Sequence, residues 1–296
     1  MNQDFKVIIF GSSGQDGYYL GEILKKNKID FISISRNSND VKGDVSNYEF
    51  VNKQIKKFRP SHIFHFAATS TTKHYAIFEN HRSISTGTLN ILESIRLNSP
   101  ESKIFISGSA MQFENKGLPI DEKTPFDATN AYAVSRIQSV YASRYFRKVF
   151  GLKVYIGYFF NHDSPLRSEQ HVNQKIINSV KRIANGHIEK LELGDIDVRK
   201  EFNFAGDIME AVWILINQDI IYEAVIGNGE VHSIKEWLAY CFNKIDKRWQ
   251  DYVIINANFT NEYKMLVSNP TLIKSLGWKP KTSFQQLADI MMRTND

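Results

Sequence analysis

Lys6-Val-Ile-Ile-Phe10, followed at once by Gly11-Ser-Ser-Gly14-Gln-Asp-Gly17, is the stretch on which the reading of the fold turns. Lys6 to Phe10 is a compact, β-branched apolar run of strand length. The glycines break it before Tyr18, Leu20, Ile23 and Leu24 recur at helical spacing. Strand, glycine turn and helix in that order open a dinucleotide-binding βαβ unit. Glycines at 11, 14 and 17 permit a tight turn and a close approach of the backbone to a pyrophosphate, and the helix N-terminus offers it free N–H groups and a positive dipole end. Gln15 and Asp16, between the last two glycines, are placed in the same cofactor site. Asp44, in Lys42-Gly-Asp-Val45, falls where the third turn of such a unit meets adenine, although an aspartate in a loop is commonly just solvated.

The rhythm continues outward from this turn. Phe31 to Ile34 reads as a strand, Tyr48 to Phe58 as a helix and Ile63 to Phe66 as a strand. Leu89 to Leu97 is again helical, Ile104 to Ile106 a strand, Tyr132 to Phe150 a long helix and Val154 to Phe159 a strand. Strands alternating with helices predict an α/β protein, a Rossmann-type doubly wound parallel sheet. After about residue 160 the loops lengthen and Pro165, Pro270 and Pro280 interrupt the pattern. The expected organisation is a dinucleotide-binding domain over 1–160 with returning segments from about 190–230, and a smaller mixed α/β substrate-binding lobe over 161–296.

Composition sets the outer bounds. A chain of 296 residues, 42% of them hydrophobic, can bury a full core, so disorder is not needed to explain any of it. The net charge of +5 is scattered and forms no arm or stripe, which argues against nucleic acid and suits an anionic small substrate. The single cysteine, Cys241, excludes an internal disulfide framework, and with no signal-like start or spanning apolar run the expected setting is the cytoplasm, away from membranes. The eight histidines show no ligand spacing, so no metal is expected.

A second constellation follows the strand at Ile104–Ile106: Ser109, then Tyr132 and Arg136 within Asn130-Ala-Tyr-Ala-Val-Ser-Arg136. Four residues apart on a helix, Tyr132 and Arg136 share a face. There a cation can favour the tyrosinate and help hold a nicotinamide ribose. Such a tyrosinate takes a hydroxyl proton as hydride leaves the same carbon, and Ser109 shares the hydrogen bond. The bland alternative is a tyrosine packed against the core at the start of a helix.

The order of these pieces, with Ala67-Ala68 and Gly87-Thr88 between them, resembles the extended short-chain dehydrogenases. Within that superfamily the chain is most similar to the GDP-mannose 4,6-dehydratase family. The likeness rests on Gly14-Gln-Asp-Gly-Tyr-Tyr-Leu20, Thr124-Pro-Phe126, Phe160-Asn-His-Asp-Ser-Pro165, Val172-Asn-Gln-Lys175, Leu193-Gly-Asp-Ile-Asp197, Ala205 to Trp213 and Leu276-Gly-Trp-Lys-Pro280. The resemblance implies a nicotinamide cofactor bound with the help of Ala67, and a GDP-sugar faced by Asn161, Val172, Lys175, Arg199 and Lys200. Basic side chains there would compensate a buried diphosphate. It also implies a homodimer or homotetramer. In the helix after Tyr132, the residues Val140, Tyr145, Phe146 and Phe150 face either a partner or the sheet.

Three departures from the family pattern stand out. Where the dehydratases carry a glutamate two positions after the serine or threonine, this chain has Met111, facing the sugar. A thioether cannot act as general acid or base. Arg136 replaces the usual lysine, which is not a conservative exchange. Thr260-Asn261-Glu262 stands where the family has an arginine-proline-acidic segment. The leading expectation is therefore oxidation at C4 of a GDP-linked manno-type sugar, mannose or a manno-heptose, giving a 4-keto sugar without dehydration. The alternatives are GDP-mannose 4,6-dehydratase, with Gln112 and a water replacing the glutamate, and a non-catalytic nucleotide-sugar-binding protein. For the cofactor, Arg36 after the second strand serves either the 2′-phosphate of NADP or the adenine ring, whereas net oxidation favours NAD by mass action.

Overall fold

The computed structural model describes residues 6–38, 40–256, 258–259 and 261–293, so Thr260 of the departing segment lies outside the described residues. Strand β1 (Val7–Phe10) leads through the glycine turn into α1 (Gln15–Lys26), then β2 (Phe31–Ser35), the two-residue β3 (Val41–Lys42), α2 (Tyr48–Phe58) and β4 (His62–His65). A single helical turn, α3 (Ile77–Asn80), passes through a π-helical stretch at His81–Thr86 into α4 (Gly87–Asn98), followed by β5 (Lys103–Ser109), α5 (Ala131–Phe150) and β6 (Lys153–Phe159). Then come β7 (His162–Asp163), α6 (Val172–Ala184), β8 (Leu191–Leu193), β9 (Arg199–Glu201), β10 (Asn203–Phe204), α7 (Ala205–Ile216) and β11 (Glu223–Ile226). The chain ends in β12 (Val231–Ser233), α8 (Ile234–Asn243), β13 (Val253–Ile255), β14 (Met265–Leu266), α9 (Thr271–Ser275) and α10 (Phe284–Met292).

Seven strands form one sheet in the order β11-β6-β5-β4-β1-β2-β3, every pair parallel. This is the doubly wound, Rossmann-type arrangement that the alternating rhythm predicts. Successive residues of a strand point to opposite faces, so Ile8 and Phe10 enter one core with Val51, Ile55, Ile91 and Val140, while Val7 and Ile9 enter the other with Leu20, Leu24, Ile208 and Val212. A third core joins α6, α8 and α10 through Ile176, Trp237, Phe242 and Leu287. The chain reverses direction across the sheet between β1 and β4, and the crevice beyond their carboxyl ends is the position where doubly wound folds bind ligands.

At the opposite end of the sheet, Glu223 on β11 accepts from Arg144 Nε (3.0 Å), Arg144 Nη2 (2.7 Å) and Tyr158 Oη (2.6 Å), and also pairs with Arg147. Burial pushes its carboxyl up, but these donors outweigh burial and hold it near 2. A carboxylate depressed in the folded state stabilises fully above its unfolded value of about 4.3, and that contribution disappears as pH falls toward the folded value. Glu223→Gln is therefore expected to lower stability at pH 7 by about 2 kcal/mol and to flatten the acid limb of a denaturation series below pH 5.

Candidate active site

Two adjoining cavities fill the crevice, sharing Gly11, Gly14, Phe66 and Ala68 as lining. The first, of about 230 Å³, lies over the ends of β1 and β2 and is bounded by Arg36, Asp44 and Ala67. The second, of about 440 Å³, brings together Asp16, Ser109, Met111, Tyr132, Arg136 and Asn161 with His162, Arg167, His171 and Glu262.

The glycine turn fits a dinucleotide. Gly11 adopts φ +88°, and a Cβ on it would lie 2.4 Å from Ala67 N. One on Gly17 would lie 2.5 Å from Ser12 Cα. A Cβ on Gly14 would meet only Gly11 O, at 3.5 Å, while the residue itself borders both cavities. Gly14 is also the N-cap of α1 and caps no N–H with a side chain, so the first turn of the helix is left to an anionic partner. Gln15 and Asp16 both border the larger cavity and also tie the turn to the segment after β6. Gln15 Nε2 donates to His162 O (3.2 Å) and Gln15 Oε1 accepts from Ser164 Oγ (3.0 Å). Asp16 Oδ1 lies 2.9 Å from His162 Nε2, while His162 Nδ1 lies 2.8 Å from Phe160 O. Each ring nitrogen faces an oxygen acceptor, which favours the protonated imidazole. Burial opposes the charge on each partner, but their mutual attraction wins, raising the histidine and lowering the aspartate.

Ser109 ends β5, and its position is fixed by a reciprocal cap. Its Oγ accepts from Met111 N (3.2 Å), while Gln112 Oε1 accepts from Ser109 N (2.9 Å). Gln112 is fully buried in this role and borders neither cavity, so it does not stand where the missing glutamate would act. Met111 does line the larger cavity. Asn130 caps α5 by accepting from Ala133 N (2.9 Å), which sets Tyr132 in the first turn facing the same cavity. Arg136 is buried beneath it. Its guanidinium carbon lies 5.0 Å from the Tyr132 ring centroid, and Nη1 donates to Ser107 O and to Ser107 Oγ (2.8 Å). Arg136 thus joins the tyrosine to the strand that carries Ser109.

The substrate-facing residues expected from the sequence are dispersed. Asn161 lines the larger cavity, and its Oδ1 has no hydrogen-bond partner among the described residues. Val172 opens α6 and packs against the third core. Lys175 Nζ donates to Glu192 O (2.7 Å), and Arg199 Nη2 to Val231 O (3.3 Å). Lys200 is buried, its ammonium 5.4 Å from the Phe202 ring centroid, and burial lowers its pKa. None of these four borders either cavity. The cation that borders the larger cavity beside Arg136 is Arg167, 3.7 Å from Asp163 and 3.3 Å from His171 Nδ1. Burial and Arg167 push the His171 imidazole down to about 4, leaving it neutral. Sequence reasoning did not single out His162, Arg167 or His171 as site residues, although the run Phe160 to Pro165 holds the first of them, and Glu262 entered only through the departing segment Thr260-Asn261-Glu262.

Fold and site together define an enzyme of the extended short-chain dehydrogenase/reductase class. The chain is similar over 97% of its length to a UDP-glucose 4-epimerase of Thermus thermophilus solved with NAD (TM-score 0.84, 20% identity, 98% of that chain). It is equally similar in fold to RMD of Pseudomonas aeruginosa complexed with NADPH (TM-score 0.87, 18% identity, 97% of each chain). A family profile described as GDP-mannose 4,6 dehydratase matches residues 8–291. GDP-mannose 4,6 dehydratase 2 of Arabidopsis thaliana is 30% identical, over 96% of this chain and 85% of the relative. The chain belongs to the GDP-mannose 4,6-dehydratase family.

The glycines separate fold from binding. Gly17→Ala is expected to lower the melting temperature by several degrees, because backbone has to move. Gly14→Ala should melt within a degree or two of the parent yet bind dinucleotide at least about tenfold more weakly, as measured by calorimetry.

Proposed function

We propose that this enzyme oxidises C4 of a GDP-linked, manno-configured sugar held between the sheet and the lobe built after residue 160, and that it goes on to act as a GDP-mannose 4,6-dehydratase. The observation that carries the reading is the placement of Ser109 and Tyr132 on one wall of a cavity continuous with the glycine turn, in a chain related to GDP-mannose dehydratases along nearly its whole length. A bound NAD(P) supplies the hydride acceptor. Tyr132 receives the O4 proton, Ser109 Oγ holds the same oxygen, and Arg136 keeps the tyrosine in register with β5. Dehydration then needs a base for the C5 proton and an acid for the departing C6 hydroxyl, after which the hydride taken from C4 would return to C6 and a proton to C5, leaving the cofactor oxidised. His171, neutral and on the wall, and Glu262, which accepts from Thr72 Oγ1, carry suitable groups.

Met111 favours a second reading, in which the reaction stops at the 4-keto sugar with the cofactor reduced. Product mass after incubation with GDP-mannose and either cofactor separates the two. Loss of water with no net cofactor reduction supports the dehydratase, and loss of two hydrogens with reduced nicotinamide supports the oxidation. Tyr132→Phe is expected to slow either by about 10²- to 10⁴-fold. Met111→Glu should raise the share of dehydrated product. Absence of turnover in the parent protein with either cofactor would leave only a binding role.

A cytoplasmic setting accords with a chain whose one cysteine, Cys241, is buried and unpaired. We infer a homodimer or homotetramer formed through α4 and α5. Val140 and Phe146 point into the core, but Leu89, Leu97, Tyr141, Tyr145 and Val149 are exposed on those helices. Light scattering should give at least twice the chain mass of 34.1 kDa, and Tyr145→Glu should shift it to the monomer.

A further inference from the structure

The smaller cavity carries a balance of charge that bears on the cofactor's identity. Arg36 follows β2 directly, and Glu79 lies in α3 across the crevice; Arg36 Nη1 donates to Glu79 Oε1 at 2.8 Å. Both line the cavity, as do Arg82 and Asp44. Strand β2 ends in Ser35, so no carboxylate stands at the strand end to receive a free ribose 2′-hydroxyl. Glu79 brings one to the same cavity from a different element. Asp44 is held in place by Ser46, whose N–H and hydroxyl both donate to Oδ1, at 2.9 and 2.8 Å. Two guanidinium groups therefore face two carboxylates, which leaves no surplus positive charge for a dianionic 2′-phosphate.

We propose that Glu79 selects the cofactor: its carboxylate neutralises Arg36 and accepts a hydroxyl of the unphosphorylated adenosine ribose, so that NAD is bound in preference to NADP. Arg36, which on sequence alone serves either a 2′-phosphate or the adenine ring, is diverted from the phosphate by its partner. The inference rests on the dinucleotide reading of the crevice and is independent of the sugar chemistry. Coulomb repulsion between Glu79 and a 2′-phosphate in a half-exposed cavity corresponds to roughly a tenfold or larger change in affinity.

Equilibrium dissociation constants for NAD and NADP, measured by calorimetry on the full chain, test it. The parent protein is expected to bind NAD at least about tenfold more tightly than NADP. Glu79→Gln, which keeps the backbone carbonyl that Ser83 Oγ bonds (2.7 Å), should narrow or reverse that ratio through tighter NADP binding. Adding Arg36→Ala to Glu79→Gln should abolish the gain. A parent that prefers NADP, or a ratio left within twofold by Glu79→Gln, overturns the proposal. If neither dinucleotide binds, the cofactor reading falls with it. If both variants behave as expected while GDP-mannose is not turned over, only the sugar reading fails.

Discussion

Everything at the site depends on how closely the backbone of the first turn can approach that of β4. With Gly11 at φ +88° and no room for a side chain against Ala67, the exits of β1 and β4 lie close together where the crevice opens. The same turn then reaches forward. Through Gln15 it holds His162 O and Ser164 Oγ, and through Asp16 it holds the His162 ring, on the loop that leaves β6. An imidazole buried between a carbonyl and a carboxylate is costly unless both hydrogen bonds form, so the pairing fixes this segment in one arrangement. The glycine turn, the cavity wall and the segment after β6 are in this way parts of one assembly.

The segments after β6 are joined to one another by a second buried carboxylate. Glu201, at the end of β9, is wholly inaccessible and accepts from Ser268 N (2.5 Å), Asn228 N (2.7 Å) and Asn203 Nδ2 (3.0 Å). A Cβ on Gly227 would lie 2.3 Å from its Oε2, so the turn leaving β11 has to be glycine to come this close. Three N–H donors offset the desolvation of the charge, and losing any one would leave it partly uncompensated. This tie sets β9 beside β14, and β14 and the residues just before it bring Glu262, Tyr263 and Leu266 over the larger cavity. The reach of those residues therefore depends on a contact that touches no ligand.

The sheet was legible because parallel strands buried on both faces are written as continuous apolar runs, and the helices between them carry a clear apolar stripe. Tyr48–Phe58 was read as a helix and is one. The two-residue β3 and the π-helical stretch at His81–Thr86 have no period of their own to read. The Asp16–His162 pair joins residues 146 positions apart, so it exists only once the sheet closes. Charge was legible in kind but not in direction. A diphosphate calls for cations, yet Lys175 and Arg199 end on main-chain carbonyls and Lys200 is buried, while Arg167 reaches the cavity from a loop whose sequence has no regular spacing.

The methionine at 111 acquires its meaning from the cap around it. The Met111 main-chain N–H donates to Ser109 Oγ, and Gln112 closes the cap from the other side, so the geometry of the serine is set by backbone and by a buried amide. The side chain of residue 111 takes no part in that arrangement and projects into the cavity. On the proposed chemistry, a thioether in place of a carboxylate there removes a proton-transfer group without loosening Ser109 or Tyr132. The proposed oxidation and elimination would thus draw on different parts of this wall. Under that proposal the serine and tyrosine sit on a fixed framework, whereas an elimination would draw on other ionisable side chains of the cavity, and His171 and Glu262 reach it from the loop before α6 and from the segment before β14.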